Sequence, residues 1–366
     1  SAHAAKHHYR FQLGAFCDIH QNLKTITLAP LHDDSIHTFL PKRSVTYDYL
    51  VIAVGSISND FKTPGVKEHC YFLDSIQQAQ RFQHALLDNF TRLHQDDDQQ
   101  KTLDIAIVGG GATGVELSAE LYHVSSLLKL YGLANMSPKR LHIHLIEAGP
   151  RILPALSDRI AESAKQELLK LGINVREYTQ VKEATKHGFI TKDDERIDAD
   201  IMVWAAGVKA PDFIKGLKVF ELTPNNQIRV DQFLRSTVDD RIFVLGDCCA
   251  FIQDNGKPVP PRAQSAHQMA KCIEKNLIAM LRQKPINNFT YNDYGSLVNL
   301  SRYGAVGNLM GNLTNNSFFI EGKIARFMYI SLYRMHQLAI HGFFKTFFLW
   351  IREKILRIGR PKIKLH

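Results

Sequence analysis

Short apolar runs that stop at glycine or a small polar residue recur along this chain, separated by longer stretches whose apolar residues repeat at three- and four-residue spacing. The first kind reads as buried strand and the second as amphipathic helix. Residues 103–108 (LDIAIV) form such a strand and run into a glycine turn at 109–114. A helix is expected from 115 to about 130, then a second strand at 141–146 ending at Glu147. Residues 47–54 (YDYLVIAV) predict a buried strand that stops at Gly55-Ser56, and 242–245 another that stops at Gly246-Asp247. Further strands are expected at 9–13, 25–28, 174–178, 188–191 and 201–204. Helices are expected at 75–93, at 157–171 with Ser157 or Asp158 as cap, and from Arg262 to about Leu281, just after Pro260-Pro261. The polar run HQDDDQQK after the first of these reads as a linker, and no internal repeat interrupts the α/β alternation.

At 366 residues the chain is too long for one compact domain, so two nucleotide-sized domains and a tail are the default. The formal net charge is +9, and its placement says more than its size. From Lys323 onward ten basic residues face one acid, Glu353, so the rest of the chain is neutral overall. A basic surplus confined to one end argues against a nucleic-acid footprint and for a local anionic partner, a lipid surface first. Five cysteines (Cys17, Cys70, Cys248, Cys249, Cys272) without a C-x-x-C pair read as reduced thiols, with the adjacent Cys248 and Cys249 as small core residues. The opening SAHAAKHHYR has no apolar stretch of signal-peptide type. Near the C-terminus the longest run without Asp, Glu, Lys or Arg, 335–344, is ten residues, short of the ~20 that cross a bilayer. No metal-ligand cluster is evident.

The segment IAIVGGGATGVELSAE carries G-x-G-x-x-G at Gly109, Gly111 and Gly114, set between strand and helix as a dinucleotide loop requires. Gly109 permits the tight turn, Gly111 the approach of a pyrophosphate, and Gly114 the close packing of helix on strand. The helix N-terminus offers unpaired N–H donors to the phosphates. The candidate nucleotide contacts are therefore Gly109, Gly110, Gly111, Ala112, Thr113 and Gly114, with Glu147 accepting from ribose hydroxyls and disfavouring the extra phosphate of NADPH. Glu147 lies further from the glycines than the usual ~20 residues; an inserted loop around 132–140 accounts for this.

In a doubly wound sheet ligands gather at the carboxyl ends of strands, which marks Gly55-Ser56 and Gly246-Asp247 as further cofactor contacts. Two such strands bracketing an inserted nucleotide domain resemble the two-dinucleotide-binding-domain flavoproteins. That resemblance implies an FAD domain split in sequence, with Asp247 hydrogen-bonded to the ribityl chain, and WAAGV (Ala206 and Gly207 within it) returning toward the nicotinamide. It also implies an opening strand, glycine loop and helix for the FAD pyrophosphate. Eight residues precede Tyr9, against the 30 or more of a βαβ unit. The sequence thus reads as starting downstream of that loop, and this chain by itself is expected to hold FAD poorly.

The stretch PPRAQSAHQMA places Gln264 and Gln268 four apart, on one face of a helix, each offering an amide, with Ala263 and Ala266 small enough to let a flat ring approach. This A-Q-x-A-x-Q pattern after G-D resembles the quinone-site signature of type II NADH:quinone oxidoreductases. GGGATGVELSAE, DYGSLVNLS, GNLMGNL and IEGKIARFMYISLYRMHQLAIHG resemble proteobacterial members. The resemblance implies an α/β fold of two Rossmann-like nucleotide-binding domains, the FAD domain split by an inserted NADH domain, plus a C-terminal membrane-binding region. The corresponding boundaries are 1–66 and 211–317 for FAD, 67–210 for NADH and 318–366 for the tail. It implies FAD and NADH as cofactors, and electron transfer from NADH through FAD to a quinone without proton pumping. The quinone site would comprise Ala263, Gln264, Ala266, His267 and Gln268. Ala263 and Gln264 would also touch FAD, and Glu116 would be the acid near nicotinamide and quinone. For Glu116 a helix-dipole role in the first turn is the plainer alternative. In the tail, Phe343, Phe344, Phe347, Phe348, Leu349, Trp350, Ile351 and Ile355 interleave with Lys345, Arg352, Lys354 and Arg357, as in a helix lying in a membrane interface. Anionic lipids, a homodimer and a peripheral place on the cytoplasmic face of a bacterial inner membrane follow as expectations. Two rival readings remain: a flavin-dependent sulfide:quinone reductase, and a non-catalytic NADH-binding fragment that docks on membranes.

Overall fold

The computed structural model describes residues 4–5, 7–32, 38–96, 98, 100–128, 138–300, 305–310, 317–321, 338 and 342–359. Most of the loop expected at 132–140, and much of the tail sequence from 322 to 341, lie outside them. In chain order, the elements that position the site are β1 (Phe16–His20), β2 (Thr25–Leu28), β3 (Arg43–Thr46), β4 (Leu50–Ile52), α1 (Ile76–Gln95), β5 (Leu103–Val108), α2 (Ala112–Leu127), β6 (Leu141–Ile146) and α3 (Asp158–Lys170). They continue with β7 (Asn174–Arg176), β8 (Val181–Thr185), β9 (Gly188–Thr191), β10 (Arg196–Asp198), β11 (Ile201–Trp204), β12 (Asp239–Val244), α4 (Ala263–Leu281) and α5 (Phe343–Gly359). Two compact units emerge, one of Ser1–Ile57 with Val208–Asn292, the other of Ser58–Gly207 with Asp293–His366.

The second unit is built on a four-stranded parallel sheet in the order β7-β6-β5-β11. The central strand β5 and its neighbour β11 are buried on nearly all sides, which is why they are mainly apolar, whereas the edge strand β7 (NVR) is partly exposed and polar. On one face lie α1, α2 and α3. Helix α1 is fixed at its start by Ser75, whose hydroxyl accepts from Gln78 N at 3.2 Å, and it buries Phe82, Leu86, Phe90 and Leu93, one stripe at helical spacing. The same core takes in Val298 and Leu300. The other face is covered by the small antiparallel sheet β8-β9-β10, through Val181, Ala184, Phe189 and Ile197 against Ala106, Val108, Met202 and Trp204.

The first unit pairs β12 with β4 in parallel, Ile242 opposite Leu50 and Val244 opposite Ile52, so that both strands end at the same level. The antiparallel sheet β1-β2-β3 belongs to the same unit. Helix α4 packs on this core through Met269 and Ile273. It also buries Asn276 completely; the amide of Asn276 donates to Asn287 O and accepts from Asn287 N, both at 2.9 Å, which satisfies a polar group that would otherwise be costly to bury.

The strand expected at 9–13 is absent. Tyr9, Phe11 and Leu13 are exposed, they join none of the described sheets, and the chain enters one only at Phe16. The strand expected at 47–54 contracts to Leu50–Ile52, and the one at 174–178 to Asn174–Arg176. Helix α2 starts at Ala112, three residues before the expected 115. Strands β1 (FCDIH), β3 (RSVT), β8 (VKEAT) and β10 (RID) were not anticipated, because none of them carries an unbroken apolar run.

Because Leu86 is fully buried between α1 and the sheet, Leu86→Ala should lower unfolding free energy by about 2–5 kcal/mol. Chemical denaturation checks this; a loss of less than about 1 kcal/mol would contradict the packing.

Candidate functional site

The turn from β5 into α2 has room for almost no side chain. A Cβ on Gly114 would sit 2.0 Å from the Gly109 carbonyl oxygen, and one on Gly109, whose φ is +115°, would sit 2.5 Å from the carbonyl oxygen of Ala205. The loop therefore lies directly against the end of β11, with Ala205 and Ala206 alongside, while Gly207 lies against the ring of Phe61. Around Gly111, by contrast, a Cβ would meet nothing within 4 Å. Gly111 is also the N-cap of α2 and supplies no side chain to the first backbone N–H groups. Ala112 and Thr113 are exposed. The loop thus combines tight packing below with open backbone donors above, the arrangement a pyrophosphate needs.

Glu147 follows β6 directly. Its carboxylate accepts from Gly110 N and Gly149 N, both at 2.7 Å, so it is locked onto the glycine loop whatever the length of the preceding insertion. Two backbone bonds leave lone pairs on both oxygens for further donors. The segment after Glu147 is pinned as well, by Leu153 N donating to Gly110 O at 2.7 Å and Ile152 N to Glu177 at 2.9 Å. Arg151 is committed to the carbonyls of Leu153 and Leu156 and to Asp158. Glu116 is half-buried in the second turn of α2, since the helix begins earlier than expected, and so lies beyond the first-turn position its helix-dipole alternative requires.

In the first unit, the ends of β4 and β12 bring Gly55-Ser56 beside Gly246-Asp247. Ser56 Oγ donates to Asp247 Oδ2 at 2.8 Å, and Gly55 and Gly246 have φ of +68° and +74°. Two residues 191 positions apart thereby form one polar corner. The start of α4 packs on the same corner: a Cβ on Gly246 would meet Ala266 Cβ at 3.6 Å, and Gly246 N donates to Met269 Sδ at 3.3 Å. Ala263 and His267 are exposed, while Gln264, Ala266 and Gln268 are half-buried. Gln268 is further engaged: its Nε2 donates to Asn292 O at 2.8 Å and its Oε1 accepts from Asn292 N at 3.0 Å. Asn292 is the residue that motif reading missed. Its contribution comes from its backbone, which leaves no mark in the residue type.

All five cysteines are free. Cys248 and Cys249 are buried, as anticipated, and burial raises both thiol pKa values. Burial, assisted by Glu68, pushes Cys70 up to about 12. Among the described residues no group of three or more His, Cys, Asp or Glu is placed to hold a metal ion.

The pyridine nucleotide-disulphide oxidoreductase family pattern matches residues 4–270. The chain is 45% identical to the type II NADH:quinone oxidoreductase of Haemophilus influenzae, over 100% of this chain and 85% of that protein. It is 32% identical to the type II NADH:quinone oxidoreductase of Staphylococcus saprophyticus, over 77% of this chain and 69% of that one. Its fold matches that of NDH2 from Plasmodium falciparum, solved in complex with NADH, with a TM-score of 0.76 at 22% identity, covering 95% of this chain and 84% of the other.

With Cys248 and Cys249 buried and their thiols held protonated, iodoacetamide at pH 8 should label exposed Cys17 and leave that pair untouched in the native state. Peptide mapping after alkylation checks this; rapid labelling of Cys248 or Cys249 would contradict it.

Proposed function

The chain belongs to the type II NADH:quinone oxidoreductases, within the pyridine nucleotide-disulphide oxidoreductase family, and from that membership we propose how its residues divide the work. It is an FAD-dependent oxidoreductase that takes electrons from NADH and delivers them to a quinone. The observation that carries the residue assignment is the corner of the first unit, where the A-Q-x-A-x-Q helix packs on the Gly246-Asp247 turn through Ala266.

In this reading the second unit holds NADH. Gly111, Ala112 and Thr113 present backbone N–H groups to the pyrophosphate, while Gly109, Gly110 and Gly114 shape the loop beneath it, with Gly109 N spent on Ile146 O and Gly110 N on Glu147. Glu147 accepts from the ribose hydroxyls. Ala206 and Gly207 border the nicotinamide, because β11 ends next to β5 at the point where strand order reverses. Anchored by Gly110 and Gly149, Glu147 cannot swing aside to admit a 2′-phosphate, and Arg151 is tied elsewhere, so NADH is favoured over NADPH. Glu116 is assigned as the acid near the reacting groups.

The first unit holds FAD. Gly55 and Gly246 let the backbone approach the cofactor, Ser56 orients the Asp247 carboxylate, and Asp247 accepts from the ribityl hydroxyls through its remaining lone pairs. The start of α4, Ala263 and Gln264, borders the same cofactor. When bound, FAD supplies two-electron exchange between a hydride donor and a quinone. Gln264 and Gln268 present amides to the quinone carbonyls, Ala263 and Ala266 leave space for its ring, and His267 flanks it. No residue here is assigned to proton pumping.

For the membrane, α5 carries the argument. Phe343, Phe344, Phe347, Phe348 and Trp350 are exposed, with Lys345 and Arg352 on the same helix. A surface of that kind suits the boundary of an anionic bilayer, apolar rings in the acyl layer and cations at the headgroups. No helix of the described residues is long and apolar enough to cross a membrane. We therefore place the enzyme as a peripheral protein on the cytoplasmic face of the inner membrane, with a homodimer as a further use of the tail region.

Two measurements test the assignment. Glu147→Ala should lower kcat/KM for NADH by about tenfold or more, the size of one charge-assisted hydrogen bond, and narrow the gap to NADPH; an unchanged NADH/NADPH ratio would remove Glu147 from the site. Gln264→Ala should slow quinone reduction by about tenfold while anaerobic reduction of the flavin by NADH, followed by stopped flow, keeps its rate. Equal loss in both halves would overturn the quinone assignment.

A further inference from the structure

The two bonds between Gln268 and Asn292 fix more than a loop. A glutamine amide is nearly symmetric in shape, and a free one turns over to offer either its oxygen or its nitrogen to a ligand. Here Asn292 N–H requires Oε1 and Asn292 C=O requires Nε2, at 3.0 and 2.8 Å. Turning the amide over would set oxygen against oxygen and N–H against N–H. The orientation is therefore determined by the backbone of one residue 24 positions away, at the end of the extended stretch that follows α4. That stretch is held at its other end by the matching two-way pair of Asn276 and Asn287, so the anchor is itself anchored.

We propose that Asn292 is a positioning residue which makes Gln268 discriminate between the oxidised and reduced forms of the quinone. The inference rests on the quinone reading of α4 given above. Quinone carbonyls only accept hydrogen bonds, so a quinone meets this amide from the Nε2 side, where one N–H stays unspent after the bond to Asn292. Reduction adds two electrons and two protons, the electrons and one proton from NADH and the other proton from solvent, and each carbonyl becomes a hydroxyl. The hydroxyl that replaces the carbonyl needs an acceptor for its hydrogen. A free glutamine would turn its oxygen to that point; the clamped one keeps its N–H there, and the lone pair left on Oε1 lies on the opposite edge of the amide. The site consequently holds quinone better than quinol and sheds its product, a preference written in the backbone of Asn292.

Equilibrium binding tests this without turnover. A short-chain ubiquinone and its quinol are titrated separately, under argon and without NADH, into the FAD-loaded enzyme in a calorimeter. The wild type should bind the quinone about tenfold more tightly than the quinol, the weight of one net hydrogen bond. Gln268→Leu should bring the two within about threefold of each other, and Gln268→Glu, an acceptor on both sides, should reverse the order. Equal affinities in the wild type overturn the proposal whether or not either variant folds. A weaker affinity for both forms in Gln268→Leu, with their ratio unchanged, overturns the discrimination but leaves the quinone site standing. Quinone affinity indifferent to both Gln264→Ala and Gln268→Leu overturns the site reading itself.

Discussion

Everything around the glycine loop of the second unit depends on one close approach, that of the β5–α2 turn to its surroundings. At Gly114 the helix comes so near the strand that a methyl group would overlap the Gly109 carbonyl, and at Gly109 the turn comes so near the end of β11 that a Cβ would overlap Ala205. Because nothing protrudes there, the first turn of α2 keeps its backbone donors open, and the acid after β6 reaches back to bond Gly110. Substituting either glycine would force apart three elements at once: the loop, the helix and β11.

The first unit solves a different problem, that of holding two turns from distant parts of the chain side by side. Parallel pairing of β4 and β12 sets two glycines of positive φ side by side and joins Ser56 to Asp247. Behind that corner, α4 uses amides where a core would ordinarily use aliphatic side chains. Asn276 and Gln268 each pair with one residue of an extended segment through both its N–H and its C=O, as a strand edge would. The fully buried Asn276 costs little when fully paired and much more when half paired, and with the half-buried Gln268 it holds the segment and the helix together.

What could be read from residues alone divides along physical lines. Strands of mainly apolar sequence, Leu103–Val108, Leu141–Ile146 and Ile201–Trp204, stand where the pattern put them, because a largely buried parallel sheet is the natural use for such short runs. The glycine loop and the corner of Ser56 and Asp247 were legible for the same reason: short-range sequence dictates where a strand must stop. Residues 9–13 failed, since strand-like alternation becomes a strand only where another strand pairs with it, and these residues join none of the described sheets. The polar strands β8 and β10 escaped notice because their burial comes from facing the main sheet. The pairing of Gln268 with Asn292 was invisible, as a backbone partner carries no signature in the sequence.

The central claim is that electrons pass from NADH to FAD and on to a quinone in the same molecule. An anaerobic titration of the FAD-loaded enzyme, followed at the flavin absorbance, tests it most directly. One equivalent of NADH should bleach the flavin and one equivalent of a soluble quinone should restore it. Bleaching by NADH that a quinone fails to reverse, or a flavin that responds to sulfide and not to NADH, would contradict the account.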